Sequence, residues 1–159
     1  MEKFDNKTFL QVWDRVTEIS EPVKTGVKSD KETLCAFMDR ASFAQMFYST
    51  LGQRSPSKEI KEVISLLGRE EGENLRELMS AYFILTGDTY APERVRPYFS
   101  SVLDGVRTMY IGENENVEAY HRAAMETEKG HLTDLYHRLA SREEKHGEKL
   151  MALIKKILR

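Results

Sequence analysis

Cysteine is nearly absent: Cys35 stands alone among 159 residues. This excludes an internal disulfide, a CxxC pair and an iron–sulfur cluster held by this chain by itself. Any redox reaction here would therefore need an external electron donor. Long apolar runs are missing too, since no stretch approaches the roughly 20 residues of a membrane span, and the opening MEKFDNKTFL lacks the apolar core of a signal peptide. The expectation is a cytoplasmic protein with no membrane partner. Charge of one sign is also lacking. A net charge of -2 and a pI near 6.1 leave no general basic face to displace counterions from phosphate, so no nucleic-acid partner is expected. Prolines number four and fall where the helical periodicity breaks, and no strand-like alternation competes with that periodicity.

What is present is amphipathic helix. Phe9, Val12, Trp13, Val16 and Ile19 share one face of a short N-terminal segment, which with its linker fills residues 1–28. Mixed charge on its polar face favours docking on protein over lying on anionic lipid. Residues 29–159 divide into four longer helices. The first begins with a capping box at Ser29 and Glu32 and runs to about Leu51. Ser55 and Pro56 suit the start of the second, which continues to about Leu85. The segment TGDTYAPERVRPYF is a connection long enough to cross the length of a bundle. A third helix spans about Ser100 to Thr127, and a fourth runs from about Leu132, after a turn at Gly130, to the C-terminus. Two helical hairpins joined by one long crossover is an all-α, ferritin-like four-helix bundle.

An internal repeat locates the chemistry. The second helix carries Ile60, Val63, Leu67, Glu71, Asn74, Leu78, Ala81 and Leu85 on one stripe, and the fourth carries Leu132, Leu135, Leu139, Glu143, His146, Leu150, Leu153 and Ile157, each displaced by 72 residues. The same displacement takes Leu34, Phe37, Ala41, Ala44, Tyr48 and Leu51 onto Val106, Met109, Glu113, Asn116, Tyr120 and Ala123. Steps of three and four make each series a buried seam. Positions 41 and 71 lie equally far from one turn, and 113 and 143 equally far from the other. At about 1.5 Å of rise per residue all four sit roughly 22 Å along their helices. Glu71, Glu113, Glu143 and His146 should therefore meet in one layer.

Three carboxylates in a dry core repel each other unless a cation offsets them. Carboxylate oxygens with one imidazole suit iron(II) or manganese(II). A two-metal bundle site would take a Glu from each of two helices and Glu-x-x-His from each of the others. Here position 41 is Ala and position 74 is Asn.

On ENENVEAYHRAA and REEKHGEKL, with the weaker FMDRASFAQMFYSTL and REEGENLRELMSAYFILTG, residues 30–159 resemble the ferritin-like superfamily, in particular rubrerythrin-type proteins without a rubredoxin domain. The resemblance implies a bundle, often dimeric, that binds a di-iron or related centre and reduces peroxide or oxidises iron(II). It also implies that Glu113 and His146 hold one metal, with Glu71 and Glu143 as bridging ligands. Both departures, Ala41 and Asn74, fall on the other metal. At most one iron or manganese ion per chain is then expected. No residue is assigned to catalysis or to an organic cofactor. The alternative is a non-catalytic structural or interaction bundle that has lost its metal chemistry.

Blander readings stand beside these. Glu-x-x-His arises often by chance in charged helices. Glu70 and Glu73 read as surface residues, as do His121, His131 and His137. Asn74 reads as a weak amide-oxygen ligand, a hydrogen-bond partner to Glu143 or a filler, the last two being favoured. Tyr48 and Tyr120 read as core aromatics whose hydroxyls find a polar partner, and Met38, Met46 and Met79 as packing residues. Gly72 and Gly112 lie inside helices with no reason evident from sequence. Phe43, Phe47 and Met109, taken as a second apolar face, argue for a homodimer.

Overall fold

The computed structural model describes residues 28–159; the expected helix around Trp13 lies outside them. Four helices carry the chain: α1 (Asp30–Arg54), α2 (Lys58–Thr86), α3 (Val102–Glu126) and α4 (Gly130–Ile157). No strand occurs among the described residues. The bounds of α1 and α3 differ by 72 at both ends, and the starts of α2 and α4 by the same number. The repeat seen in the seams is therefore a repeat of structure.

Local chemistry sets the ends. Ser29 caps α1 in a capping box, its hydroxyl accepting from the Glu32 N–H at 3.3 Å while its own N–H donates to the Glu32 carboxylate at 2.9 Å. α1 runs on through Gly52, Gln53 and Arg54, past the expected stop at Leu51. Ser55 consequently ends α1, donating its hydroxyl to the Leu51 carbonyl at 2.8 Å, and Ser57 caps α2 in its place. α4 starts at Gly130, ahead of the expected Leu132. Gly87 closes α2 with φ at 70°, the left-handed conformation that a glycine adopts without strain, and its N–H donates to the Phe83 carbonyl at 2.7 Å.

Each hairpin packs antiparallel on itself, and the hairpins meet through α1 with α3 and α2 with α4. Two apolar clusters fill the two ends. One joins Leu34, Phe37, Leu78, Tyr120, Leu132 and Tyr136; the other joins Phe47, Leu51, Ile64, Val106, Leu150 and Leu153. Because the start of α1 and the end of α2 share the first cluster while the start of α3 lies in the second, the crossover must travel the bundle's length. It is pinned on the way. Asp39 accepts from the Tyr90 hydroxyl at 3.0 Å and the Glu93 N–H at 3.1 Å, and Arg54 donates to the Phe99 carbonyl at 3.1 Å with its guanidinium 4.4 Å from the Phe99 ring centre.

Phe99 then fills the gap that would otherwise expose Phe47, the two rings lying 5.2 Å apart. Phe43, Phe47 and Met109 are all buried in the chain's own core. They offer no face to a second copy, and the homodimer expectation loses that ground. The reason is physical: a helix in a bundle with a crossover buries more than one stripe, and sequence periodicity alone assigns the excess to a partner. Met79, expected to pack, is instead 40% exposed. No helix among the described residues is long and apolar enough to cross a membrane.

Candidate metal centre

Between the two apolar clusters lies a polar layer. Glu71, Asn74, Glu113, Asn116, Glu143 and His146 are all buried there. Glu71 comes from α2, Glu113 from α3, and Glu143 and His146 from successive turns of α4, so the convergence expected from equal distances along the hairpins occurs. One ligand atom from each of Glu71, Glu113, Glu143 and His146 lies within 4.8 Å of all the others, and the group could hold a metal ion. Position 41 brings only a methyl group, and its α1 neighbour across the layer is Tyr48, whose hydroxyl donates to Glu113 Oε1.

The His146 ring faces the cluster with Nδ1, which lies 3.1 Å from Glu71 Oε1, 3.7 Å from Glu113 Oε1 and 3.9 Å from Glu143 Oε2. Asn74 donates from Nδ2 to Glu143 Oε1 at 2.8 Å. Of the three readings offered by sequence, the hydrogen-bond partner is the one observed. Glu73 is exposed, as are His121, His131 and His137. A Cβ at Gly72 would lie 2.8 Å from Gln45 Nε2, the tip of an exposed side chain that can swing aside, so the structure sets no strict demand for glycine there.

Burial dominates the electrostatics. It pushes Glu143 well above the usual carboxylate range, helped by the charges of Glu113 and Glu71. It pushes Glu71 up as well, with Glu113 adding to the effect, to about 7. Burial acts upward on Glu113 too, but hydrogen bonds involving Glu143, His146 and Tyr48 outweigh it and hold Glu113 low. For His146 burial works downward, yet hydrogen bonds to Glu113 and Glu71 overcome it and raise the imidazole to about 10. In the metal-free layer the shifts run in opposite directions, favouring a proton on His146 and on Glu143 and a charge on Glu113.

The donor set fits a divalent ion. Glu113 Oε2 and Glu143 Oε2 are buried without a hydrogen-bond partner, since no neighbouring side chain donates to them while both carboxylates are ionised. A proton on Glu143 can bridge the pair, and so can a cation. The other half of a two-metal centre does not fit. Ala41 has no donor atom, and Asn74 turns its N–H inward.

The periodic pattern places Glu70 at the surface, and the structure corrects this. Glu70 is only partly exposed and reaches inward, with Oε2 at 2.9 Å from His146 Nε2 and 3.0 Å from Lys149 Nζ. Arg142 carries no signal in the pattern at all: its Nη1 donates to Asn74 Oδ1 at 3.0 Å and to Glu77 Oε1 at 2.6 Å. Neither residue lies on a seam, so the apolar stripe does not reveal them, but the repeat could have. Positions 70 and 142 differ by 72.

No family model matches the chain. Among curated proteins it is similar to the uncharacterised protein YhjR of Bacillus subtilis (strain 168), with 28% identity over 100 residues, covering 63% of this chain and 69% of that one. Among solved structures, a hypothetical protein from Pyrococcus furiosus matches with a TM-score of 0.74 and 21% identity, over 82% of this chain and 91% of that one. The latter likeness is one of fold: an all-helical bundle of two paired hairpins.

Proposed function

We propose that the chain is a ferritin-like, rubrerythrin-type carboxylate protein that binds one divalent ion, iron(II) or manganese(II), through Glu113, Glu143 and His146 with Glu71. The observation that carries this reading is the convergence of four buried ligand atoms, one from each of Glu71, Glu113, Glu143 and His146, all within 4.8 Å of one another. Three carboxylates so enclosed call for a cation or for protons to offset their charge, and four converging ligand atoms offer a cation its contacts. Hard oxygen donors with one imidazole suit these metals better than a soft thiolate site would.

Bound there, the ion would supply Lewis acidity or a single redox equivalent. The protein's own groups do the rest: Tyr48 orients Glu113, His146 presents Nδ1, and the two apolar clusters keep bulk water out. Peroxide reduction consumes two electrons and two protons per molecule. Two iron(II) ions provide that electron pair together, whereas one ion provides half of it and must wait on an external donor. Little peroxidase activity is therefore expected from the site. Elemental analysis after loading with manganese(II) or iron(II), followed by a peroxide-consumption assay, tests the reading. One ion per chain with little peroxide turnover supports it; no ion, or two, overturns it.

A second reading, a purely structural bundle, draws on a specific observation. The imidazolium of His146 and the raised Glu143 already neutralise much of the layer without metal. The same titration that finds no ion would favour it.

A further inference from the structure

The displacement of 72 residues relates more than the seams, because residues 70, 74 and 77 map onto 142, 146 and 149. The two trios interleave into two chains of polar contacts across the α2/α4 pair. On one side His146 Nε2 meets Glu70 at 2.9 Å and Glu70 meets Lys149 at 3.0 Å. On the other, Asn74 Oδ1 meets Arg142 at 3.0 Å and Arg142 meets Glu77 at 2.6 Å. The order of partners is kept by the symmetry, and the charges are inverted. Imidazole, carboxylate, ammonium becomes amide, guanidinium, carboxylate.

This inversion decides what each inner side chain shows the centre. A guanidinium has donors and no acceptor, so Asn74 must give it Oδ1 and turn Nδ2 inward. That N–H reaches Glu143 Oε1 at 2.8 Å and cannot ligate a cation. An ionised carboxylate has acceptors and no donor, so Glu70 keeps the hydrogen of His146 on Nε2 and leaves Nδ1 for the three glutamates. Such a carboxylate behind a histidine is how metal-ligating imidazoles are commonly held.

We propose that Glu70 and Arg142 are positioning residues that set the number of ions: Glu70 commits the His146 half to a cation, and Arg142 commits the Asn74 half to none. The proposal rests on the metal reading above. On this view the second ion is missing for a reason beyond Ala41 and Asn74. Supplying Glu at 41 and His at 74 would place an imidazole N–H against a guanidinium, donor against donor, beside a fixed positive charge. A true mirror of the working half also needs Arg142→Glu and Glu77→Lys.

The test compares ion content by elemental analysis after manganese(II) loading and desalting. The unaltered chain and the double variant Ala41→Glu/Asn74→His should each hold one ion, and the quadruple variant that adds Arg142→Glu and Glu77→Lys should hold two. Glu70→Gln should bind its single ion about ten- to a hundredfold more weakly. Circular dichroism and a cooperative melt establish folding. Should the quadruple variant fail to fold, Ala41→Glu/Asn74→His/Arg142→Gln takes its place, because glutamine can accept from an imidazole N–H and carries no charge; two ions are again expected. A double variant with two ions, a folded mirror variant with one, or an unchanged affinity in Glu70→Gln would each overturn the proposal. No ion in the unaltered chain would overturn the metal reading beneath it, which distinguishes the two failures.

Discussion

The two hairpins, α1–α2 and α3–α4, agree in what makes them fold and differ in what they bring to the buried polar layer. Ser29 and Ser101 cap α1 and α3 at equivalent positions, each accepting from the N–H three residues on. Leucines and aromatics recur along the matched seams. At the centre, however, Ala41 faces Glu113 across the repeat, and Asn74 faces His146. Ala41 and Asn74 are both enclosed, as Glu113 and His146 are. A bundle held by apolar layers at both ends can therefore carry different polar residues in the matched halves of its centre within one architecture. Fold and site draw on different residues.

Removing the inner side chain from each half should break this equivalence most sharply. His146→Ala strips three buried carboxylates of their internal cation and should cost about 3–5 kcal/mol in the metal-free protein, with loss of ion binding. Asn74→Ala leaves a single carboxylate oxygen and Arg142 short of a partner and should cost about 1–3 kcal/mol. Denaturant melts in chelator, with a metal titration beside them, check both; equal losses would mean that the halves are energetically alike.

Acidity separates the halves next, because the second hairpin brings His146 and Glu143 to the layer and the first brings Glu71 alone. An ion must displace the proton of His146 and part of that on Glu71, so affinity should rise with pH, by roughly tenfold per unit for each proton released. Competition titrations between pH 6 and 8 read this slope, and a flat profile would contradict it. Metal-free stability should move the opposite way. The imidazole of His146, raised from 6.5 to about 10, contributes fully below 6.5 and loses its contribution as pH climbs through 10. Glu71, raised from 4.5 to about 7, also favours the folded state less as pH passes through that interval, since the folded chain then holds a proton that the unfolded chain has released. Melts in chelator should fall from pH 5 toward pH 10, and bound ion should reduce or reverse the trend.

The smallest expected difference concerns the tyrosines. Tyr48 and Tyr120 are equivalent by the repeat, but the hydroxyl of Tyr48 meets Glu113 while the matching position for Tyr120 is Ala41. Tyr48→Phe removes a hydrogen bond to a charged group and should cost about 1.5–3 kcal/mol, and Tyr120→Phe should cost less. Paired thermal melts settle the ranking.

Much of this is legible in the amino-acid sequence. Apolar residues at steps of three and four mark a helix whatever its surroundings, so all four helices are readable, as is the cap at Ser29 from its partner Glu32. The centre is readable because Glu71, Glu113, Glu143 and His146 interrupt stripes that repetition identifies as buried. What escapes depends on distances between helices. Glu70 turns inward only because His146 and Lys149 of α4 stand opposite it. Ser57 replaces Ser55 as a cap because α1 carries on beyond Leu51. Phe47 is covered by Phe99, 52 positions later in the chain, and no local pattern reports such a partner.

The strap that carries Phe99 also governs how this molecule can be cut and rejoined. Residue 28 lies at the Leu34 end of the bundle and residue 159 at the Leu153 end. Joining the two would take a linker as long as a 25-residue helix, about 38 Å. The segment between α2 and α3 gives no side chain to the polar layer and is anchored at Asp39 and Arg54. Divided there, the chain yields two hairpins with unequal shares of the centre: Glu71 on one, and Glu113, Glu143 and His146 on the other. Neither piece owns the whole site, so an ion bound by the mixture would report that the halves had found each other.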